Sequence, residues 1–131
     1  MLFYPRCMNS KILIVEDTPD LCEILTEFLE MQGFTVLACL TAKSAMEKLE
    51  QGFLPDLILT DLTMPDMDGF TLIEKIRESE TLKHIPIVIF SARPIQENQA
   101  RASSLGVAKY IKKPATPDDL VLSIEEILKE K

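Results

Sequence analysis

The sequence predicts an α/β fold in which a doubly wound, five-stranded parallel sheet is covered by five helices. Three observations support this prediction. Short apolar runs alternate five times with segments of helical period, which is the pattern of repeated βα units. The run Pro86-Ile-Val-Ile-Phe90 is apolar on consecutive residues, as expected for a strand covered on both faces. A chain of 131 residues with 47% hydrophobic content also suffices for one substantial core, but not for two.

Each predicted strand is a short apolar run that precedes a helical segment. The five runs are residues 11–15, 34–39, 56–60, 86–90 and 107–111. The fourth is expected to be central or nearly central in the sheet, because it has no polar face. Residues 1–10 carry no periodic pattern, so we expect a flexible N-terminal extension followed by a folded domain at residues 11–131.

The helices are predicted from apolar residues spaced three and four apart and from their end signals. The first helix follows Thr18-Pro19 and ends at Gly33. Its apolar face is expected to contain Leu21, Ile24, Leu25, Phe28 and Leu29. Thr41 and Thr116 are predicted N-caps of the second and fifth helices, since a threonine hydroxyl can accept a hydrogen bond from a free backbone N–H at a helix start.

The fourth helix is predicted to be the least firmly held. Residues 95–105 offer a thin apolar stripe among polar residues, consisting of Ile95, Ala100 and Leu105. A helix with so few apolar positions has little surface to bury against a sheet, and weakly packed elements open most easily. We therefore expect the fourth helix to be the part of the domain that moves.

Composition and charge exclude several classes of function. The chain carries 21 acidic and 14 basic residues, a formal net charge of −7, so broad contact with a nucleic-acid backbone is unfavourable. The three cysteines form no Cys-x-x-Cys pair, which argues against a disulfide framework and a thiolate zinc site. No signal peptide and no apolar run of membrane length is present. We expect a cytoplasmic protein that binds cations and protein partners.

Groups suited to phosphate or metal chemistry follow four of the five predicted strands. They are Glu16, Asp17, Asp61, Ser91 and Lys113. Ligands of open parallel sheets bind at the carboxyl ends of the strands, so these side chains are expected to converge. Two carboxylates about 4 Å apart repel each other by about 4 kcal/mol at an effective dielectric near 20. A cation must offset this repulsion, and Mg²⁺ suits the site because it prefers oxygen ligands.

An aspartate in such a site can act as a nucleophile and form an aspartyl-phosphate. Asp61 is the candidate acceptor. Lys113 can pair with Asp61 before the reaction and with phosphoryl oxygens after it. The hydroxyl of Ser91 is suited to donate a hydrogen bond to a new phosphoryl oxygen.

The motifs in the chain resemble those of the response regulator receiver domains of two-component signalling. The resemblance covers residues 11–130 and depends on four motifs in a fixed order: Ile14-Val15-Glu16-Asp17, Asp61-Leu-Thr-Met-Pro65 through Asp68-Gly69, Phe90-Ser91-Ala92, and Tyr110-Ile-Lys-Lys113-Pro114. It implies a flavodoxin-like sheet with strand order 2-1-3-4-5. It also implies a signalling domain rather than an enzyme, with self-catalysed phosphorylation and dephosphorylation only. Because the sequence ends just after the fifth helix, we expect a stand-alone, chemotaxis-regulator-like domain with no output domain.

The resemblance also implies a role for each site residue. Glu16, Asp17 and Asp61 would bind Mg²⁺ together with the backbone carbonyl of Thr63, and Asp61 would be the phosphoacceptor. Ser91 and Tyr110 would form the switch pair, with Tyr110 turning inward as Ser91 approaches the phosphoryl group. A histidine kinase or a phosphotransfer protein would be the donor, and a downstream protein would read residues 94–110 and the last helix. Neither direct nucleic-acid contact nor membrane insertion is implied.

Three residues depart from the common pattern of that family. Pro94 comes early in the fourth helix, Arg93 is large, and Ala115 replaces an aromatic residue that often follows Lys-Pro. These departures affect the predicted output face and leave the phosphorylation site intact. Arg93 and Thr63 are expected near the acyl-phosphate, where they would tune its lifetime.

Each candidate residue also has a structural interpretation. Asp17 could be a helix-start residue, Asp61 a turn former, and Ser91 a partner of nearby backbone. Lys112 is expected to be solvated, Tyr110 is equally suited to packing and to switching, and the lone His84 receives no role. The convergence at four strand ends favours function for Lys113 and the carboxylates.

Two other functions are weighed against the signalling domain. A phosphatase of the haloacid dehalogenase type would place a second aspartate two residues after the nucleophile, where this chain has Thr63. A non-phosphorylated scaffold of the same shape is the remaining alternative. A scaffold has no need for three carboxylates, a hydroxyl and a lysine at its strand ends.

Overall fold

The computed structural model describes residues 9–129, and strands and helices alternate along this part of the chain. In chain order the elements are β1 (Lys11–Val15), α1 (Pro19–Met31), β2 (Thr35–Cys39), α2 (Ala42–Glu50), β3 (Leu57–Thr60), α3 (Gly69–Glu78), β4 (Ile87–Ser91), α4 (Ile95–Ser104), β5 (Lys109–Lys112) and α5 (Pro117–Lys129). The five predicted βα units are confirmed, with strand ends shifted by up to two residues. Within residues 9–129, no helix is both long enough and apolar enough to cross a membrane.

The five strands form one parallel sheet in the order β2-β1-β3-β4-β5, which confirms the predicted fold class. β4 lies between β3 and β5, so its predicted near-central position is confirmed. The register aligns the carboxyl ends of neighbouring strands: Val15 pairs with Thr60, and Ser91 pairs with Lys112. Residues that directly follow these strands are therefore brought to one edge of the sheet.

Two apolar layers cover the two faces of the sheet. Alternate residues of β1 point to opposite faces, so that Leu13 and Val15 pack with α2 and α3 while Ile12 and Ile14 pack with α1 and α5. β3 and β4 are buried along their whole length. Burial on both faces explains their continuous apolar runs. Cys22 and Cys39 are buried in these two layers.

Side-chain caps define the beginnings of three helices. The Thr41 hydroxyl accepts a hydrogen bond from the Ser44 N–H at 3.0 Å, and the Thr116 hydroxyl accepts one from the Asp119 N–H at 3.1 Å. Both predicted caps are therefore confirmed. The cap of α3 was not predicted: Asp68 Oδ1 accepts a hydrogen bond from the Phe70 N–H at 2.8 Å. A carboxylate at this position also interacts favourably with the helix dipole.

Two residues assigned to buried helix faces are exposed. The Ile24 side chain is 53% exposed, because the buried face of α1 is centred on Leu25 and Ile24 lies about 100° away around the helix. In α4 the buried residue is Ala102. Ala100 is exposed because it lies two positions earlier, which is about 200° away around the helix. The predictions for Ile24 and Ala100 were therefore wrong.

Arg77 ties the end of α4 to the connection between α3 and β4. Its guanidinium donates hydrogen bonds to the Leu105 carbonyl at 2.7 Å and to the Gly106 carbonyl at 3.2 Å. The same group donates to the carbonyls of Lys83 and Ile85, both at 2.9 Å. Since Ala102 is the buried residue of α4, these polar contacts supply much of the attachment of its C-terminal end.

The predicted N-terminal extension falls only in part on the described residues. Residues 1–8 lie outside them, and their predicted flexibility stays a prediction. The Asn9 N–H donates to the Gly33 carbonyl at 2.8 Å, and the Thr35 N–H donates to the Ser10 carbonyl at 2.9 Å. Asn9 and Ser10 therefore contact the chain just before β2.

Gly69, the first residue of α3, lies against the backbone of the segment that follows β3. A Cβ atom at this position would contact the Asp61 carbonyl oxygen and would lie 2.6 Å from the Leu62 Cα. Backbone atoms in a buried loop cannot move aside as a flexible side chain can. Glycine at position 69 therefore allows the start of α3 to approach Asp61.

We predict that Gly69→Ala lowers the free energy of unfolding by about 2 kcal/mol, the usual cost of overpacking a tight site. Urea denaturation of the metal-free protein measures the loss. Thr71→Ala, a change in the same helix turn, is the control and is expected to change stability by less than about 0.5 kcal/mol. Equal stability of the Gly69→Ala and wild-type proteins would contradict the close approach.

Candidate functional site

Three carboxylates meet at the carboxyl ends of β1 and β3. Glu16 and Asp17 follow β1, Asp61 follows β3, and the two strands are neighbours with Val15 paired to Thr60. One carboxylate oxygen from each residue lies within 4.8 Å of the other two. Glu16 and Asp61 are buried and Asp17 is half-buried. The predicted convergence of the acidic residues is therefore observed.

Lys113 brings a positive charge into this cluster. It follows β5, the edge strand that is separated from β3 by β4. Its Nζ lies 2.9 Å from Glu16 Oε1 and 2.9 Å from Asp61 Oδ2. The Lys113 N–H also donates to the Ser91 carbonyl at 2.9 Å, which fixes the backbone after β5 against the end of β4. Burial disfavours the charged form of Lys113, but the hydrogen bonds and charges of Asp61 and Glu16 outweigh burial and raise the pKa of Lys113 above its ordinary value.

The Asp61 carboxylate is held on both oxygens. Oδ1 accepts hydrogen bonds from the backbone N–H groups of Leu62 at 2.6 Å and Thr63 at 3.1 Å, while Oδ2 accepts one from Lys113. Glu16 Oε2 accepts a hydrogen bond from the Thr18 N–H at 3.1 Å. These contacts fix the orientation of both carboxylates.

The donor set fits a hard divalent cation. Among residues 9–129, Asp17 has no hydrogen-bond or ion-pair partner, so its carboxylate is available to a metal. Three carboxylates and one ammonium group leave an excess of two negative charges at one point, and oxygen ligands of this kind are those that Mg²⁺ prefers. No cysteine or histidine among residues 9–129 belongs to the cluster, which disfavours a softer metal.

The predicted switch residues are joined through the backbone of one loop residue. Ser91 is the last residue of β4 and is buried, and its hydroxyl accepts a hydrogen bond from the Arg93 N–H at 3.2 Å. The half-buried Tyr110 donates its hydroxyl to the Arg93 carbonyl at 2.9 Å. Burial, with a smaller contribution from the charge of Asp61, raises the pKa of Tyr110 against the opposing effects of Asn98 and Arg93.

Two contacts of the β3–α3 loop, residues 61–68, escaped sequence reasoning. The Asp66 carboxylate accepts hydrogen bonds from the Ala42 and Lys43 N–H groups, at 3.3 and 2.8 Å, and so caps α2 from outside that helix. The Arg93 guanidinium forms an ion pair with Asp68 at 2.8 Å. An Asp before Gly-Phe is a recognisable N-cap signal, so the cap role of Asp68 was accessible from the sequence. The contact of Asp66 with α2 and that of Asp68 with Arg93 were not accessible from the sequence.

The remaining predicted residues are placed as follows. The Thr63 hydroxyl accepts a hydrogen bond from Arg93 Nε at 3.0 Å, and its carbonyl stays a predicted metal ligand. Lys112 is exposed, as expected for a solvated lysine. Pro94 is the N-cap residue of α4, so it precedes the helix and does not interrupt it. His84 is exposed.

The family described as "Response regulator receiver domain" matches residues 12–125. The chain belongs to this family. Receiver domains are signalling domains that take phosphate from histidine kinases and act on downstream partners, and the predicted family is thereby confirmed.

Several relatives of this receiver domain are known in sequence. It is 31% identical over 121 residues to the transcriptional regulatory protein CssR of Bacillus subtilis (strain 168), covering 92% of this chain and 52% of the relative. It is 32% identical to the phosphate regulon transcriptional regulatory protein PhoB of Escherichia coli (strain K12), covering 93% of this chain and 53% of PhoB. This chain thus spans about half the length of each. A 14.6 kDa protein in the sodA1 3′ region of Leptolyngbya boryana is 35% identical, and 88% of this chain matches 87% of it.

Solved structures show the same fold. A CheY-like response regulator receiver domain protein from Methanospirillum hungatei JF-1 superimposes with a TM-score of 0.85 at 31% identity, covering 92% of this chain and 94% of that one. The phosphorylated cyanobacterial phytochrome response regulator RcpA superimposes with a TM-score of 0.78 at 30% identity, with 91% of each chain covered. The predicted flavodoxin-like order of strands is therefore shared with known receiver domains.

We predict that Lys113→Met lowers the free energy of unfolding of the metal-free receiver domain by about 3 kcal/mol at pH 7, because it leaves two buried carboxylates without their cation. Urea denaturation in a chelating buffer measures the change. Since the folded-state pKa of Lys113 is raised, the stabilisation is complete below about pH 10.4 and is lost as the pH rises through the folded-state value.

The neighbouring Lys112 provides the control for this prediction. Lys112 is exposed, and its Nζ donates a hydrogen bond to the Lys113 carbonyl at 3.3 Å. Lys112→Met is therefore expected to change stability by less than about 0.5 kcal/mol. Equal effects of the two substitutions would contradict the assigned role of the Lys113 ammonium group.

Proposed function

We propose that this receiver domain accepts a phosphoryl group on Asp61 from a phosphohistidine of a histidine kinase or phosphotransfer protein in the cytoplasm, and passes the signal to a downstream protein. The observation that carries the proposal is the position of Asp61. It is buried beside two further carboxylates and 2.9 Å from the Lys113 ammonium, at the carboxyl edge of a parallel sheet. This edge is where α/β sheets of this kind bind their ligands.

In the proposed reaction an oxygen of Asp61 attacks the phosphorus of the donor phosphohistidine. The new P–O bond forms as the P–N bond breaks, and the donor nitrogen keeps the electron pair and takes up a proton from solvent. The N–H groups of Leu62 and Thr63 hold Asp61 Oδ1 and so prevent the carboxylate from rotating. Such fixed positioning is the main contribution that a protein makes to phosphoryl transfer.

Glu16, Asp17 and Asp61 would hold Mg²⁺, together with the Thr63 carbonyl. When bound, the ion supplies positive charge that neutralises the phosphoryl oxygens. Lys113 already lies against Asp61 Oδ2 and can transfer its hydrogen bond to a phosphoryl oxygen on the same residue. The high pKa of Lys113 keeps it protonated at neutral pH in either pairing.

Ser91 and Tyr110 would carry the signal away from Asp61. The Ser91 hydroxyl, at the end of the strand next to β3, would turn to the phosphoryl group and leave the Arg93 N–H. Tyr110 lies on β5 and contacts the same loop residue, so it responds to the position of this loop. α4, β5 and α5 then form the face that a downstream protein reads.

We predict that incubation with acetyl phosphate and Mg²⁺ adds the mass of one phosphoryl group to the wild-type protein. Asp61→Asn removes the nucleophilic carboxylate oxygen, so this variant is expected to gain no mass. Intact-mass spectrometry measures both proteins, and Asp66→Asn, which lies in the same loop, is the matched control that retains phosphorylation. Absence of the mass gain in the wild-type protein contradicts the proposal.

Asp17→Asn removes one of the carboxylates proposed to bind Mg²⁺, so it tests metal binding apart from the stability of the metal-free protein. In the metal-free state Asp17→Asn should be at least as stable as the wild-type protein, because it relieves repulsion between like charges. Mg²⁺ at a hundredfold its dissociation constant should stabilise the wild-type protein by about 2.7 kcal/mol and leave Asp17→Asn unchanged.

Thermal unfolding with and without Mg²⁺ measures both effects. Glu23→Gln, an exposed carboxylate on α1, is the control that keeps the full response to the metal. A similar Mg²⁺ response in Asp17→Asn and wild type would show that Asp17 is not a ligand.

A further inference from the structure

Arg93 connects the segment before α4 to the β3–α3 loop, residues 61–68, through three hydrogen bonds. Its Nε donates to the Thr63 hydroxyl at 3.0 Å, and its Nη2 donates to the Leu62 carbonyl at 3.1 Å and to Asp68 Oδ2 at 2.8 Å. All three acceptors belong to the loop that begins at Asp61. The planar guanidinium can satisfy several acceptors at once, which a lysine ammonium in the same place would do less well.

The backbone of Arg93 contacts both switch residues. Its N–H donates to the Ser91 hydroxyl at 3.2 Å, and its carbonyl accepts a hydrogen bond from the Tyr110 hydroxyl at 2.9 Å. One residue therefore holds Ser91 and Tyr110 through its backbone and the β3–α3 loop through its side chain. A shift of the Arg93 backbone therefore alters the contacts with Ser91 and Tyr110 together, and it pulls on the side chain that holds the β3–α3 loop.

Asp68 gives the guanidinium a rigid attachment. While Oδ2 accepts the hydrogen bond from Arg93, Oδ1 caps α3 by accepting one from the Phe70 N–H at 2.8 Å. Gly69, the next residue, is packed against the Asp61 backbone. Burial disfavours the charged form of Asp68, but the hydrogen bonds from Arg93 and Phe70 outweigh burial and lower its pKa. The carboxylate therefore stays ionised at neutral pH.

We propose that Arg93 and Asp68 form a latch that stabilises the unphosphorylated arrangement of Ser91 and Tyr110, with Arg93 as a positioning residue. The inference rests on the proposed acceptor role of Asp61. When Ser91 turns to a phosphoryl group, its hydroxyl leaves the Arg93 N–H. The segment before α4, which carries Arg93, can follow Ser91 only when the guanidinium releases Asp68. A contact made in one of two states biases the equilibrium towards that state, so loss of the latch favours the phosphorylated arrangement.

The test uses Asp68→Asn in a Tyr4→Phe background. Asparagine caps a helix about as well as aspartate, so α3 keeps its cap while the ion pair loses its charge. The chain has two tyrosines and no tryptophan, so Tyr110 becomes the single source of aromatic emission above that of phenylalanine. Glu74→Gln is the matched control, because it removes the exposed Arg101–Glu74 ion pair between α4 and α3 without touching Arg93.

The first measurement is made without Mg²⁺ or any phosphoryl group. Tyr110 emission in Asp68→Asn should move part of the way towards the value of the Tyr4→Phe protein saturated with beryllofluoride, a phosphoryl mimic, and Mg²⁺. Glu74→Gln should leave the emission unchanged. A role of Asp68 confined to the stability of α3 does not move this signal. Unchanged emission in Asp68→Asn overturns the latch.

The second measurement is the affinity for beryllofluoride in the presence of Mg²⁺. Asp68→Asn and Arg93→Gln should each bind about three- to fivefold more tightly than the Tyr4→Phe protein, the range expected for a partly exposed ion pair. The double variant should gain little beyond either single change, because both remove the same contact. Arg93→Lys keeps the charge and should recover part of the wild-type behaviour.

The outcomes distinguish the latch from the acceptor function on which it rests. Beryllofluoride and Mg²⁺ should change the Tyr110 emission of the Tyr4→Phe protein but not that of the same protein with Asp61→Asn. If neither protein changes its emission, the acceptor role of Asp61 is contradicted. A normal response with unchanged affinity in Asp68→Asn and Arg93→Gln overturns the latch alone. Weaker binding by these variants also overturns it, because the ion pair would then stabilise the phosphorylated arrangement.

Discussion

The Lys113 ammonium group lies 2.9 Å from two carboxylates that follow neighbouring strands, and the architecture of this edge of the sheet depends on that double ion pair. Parallel register places Glu16 beside Asp61 whether or not their charges are offset, because Val15 and Thr60 pair directly. Without a cation, two carboxylates about 4 Å apart would repel each other by about 4 kcal/mol at an effective dielectric near 20. Lys113 comes from beyond β5, so its ion pairs also connect the edge of the sheet to its centre. The stability of this edge and the function proposed for Asp61 therefore depend on the same interaction.

Most of the fold could be predicted because its signals are local. The continuous apolar run of β4 and the threonine caps of α2 and α5 are properties of a few adjacent residues, and all were confirmed. The errors at Ile24 and Ala100 have a different origin. An apolar side chain one or two positions from the helix face satisfies a loose spacing rule, and only contact with the sheet decides which neighbours are buried.

The site likewise contains residues that could be predicted from the sequence and contacts that could not. Glu16, Asp17, Asp61 and Lys113 were predictable because each follows a strand, and parallel strands bring their ends together. The contacts of Asp66 with α2 and of Arg93 with Asp68 join residues 23 to 25 positions apart in polar loops. No periodicity relates such residues, and a guanidinium can reach many acceptors. The sequence showed that Arg93 was unusual for the family, but its hydrogen-bonding partners required the three-dimensional structure.

The contacts of Arg77 make α4 a lever with its hinge at the C-terminal end. Hydrogen bonds to the Leu105 and Gly106 carbonyls fix that end, whereas the opposite end begins beside Arg93. A helix of 10 residues is about 15 Å long, so a tilt of about 10° about the hinge carries its first turn about 2.6 Å. A rearrangement beside Arg93 would tilt α4 about this fixed end, and the displacement would decrease from the first turn towards the hinge. The residues displaced furthest are those of its first turn, beginning at Ile95, which follow Arg93 and Pro94 in the chain.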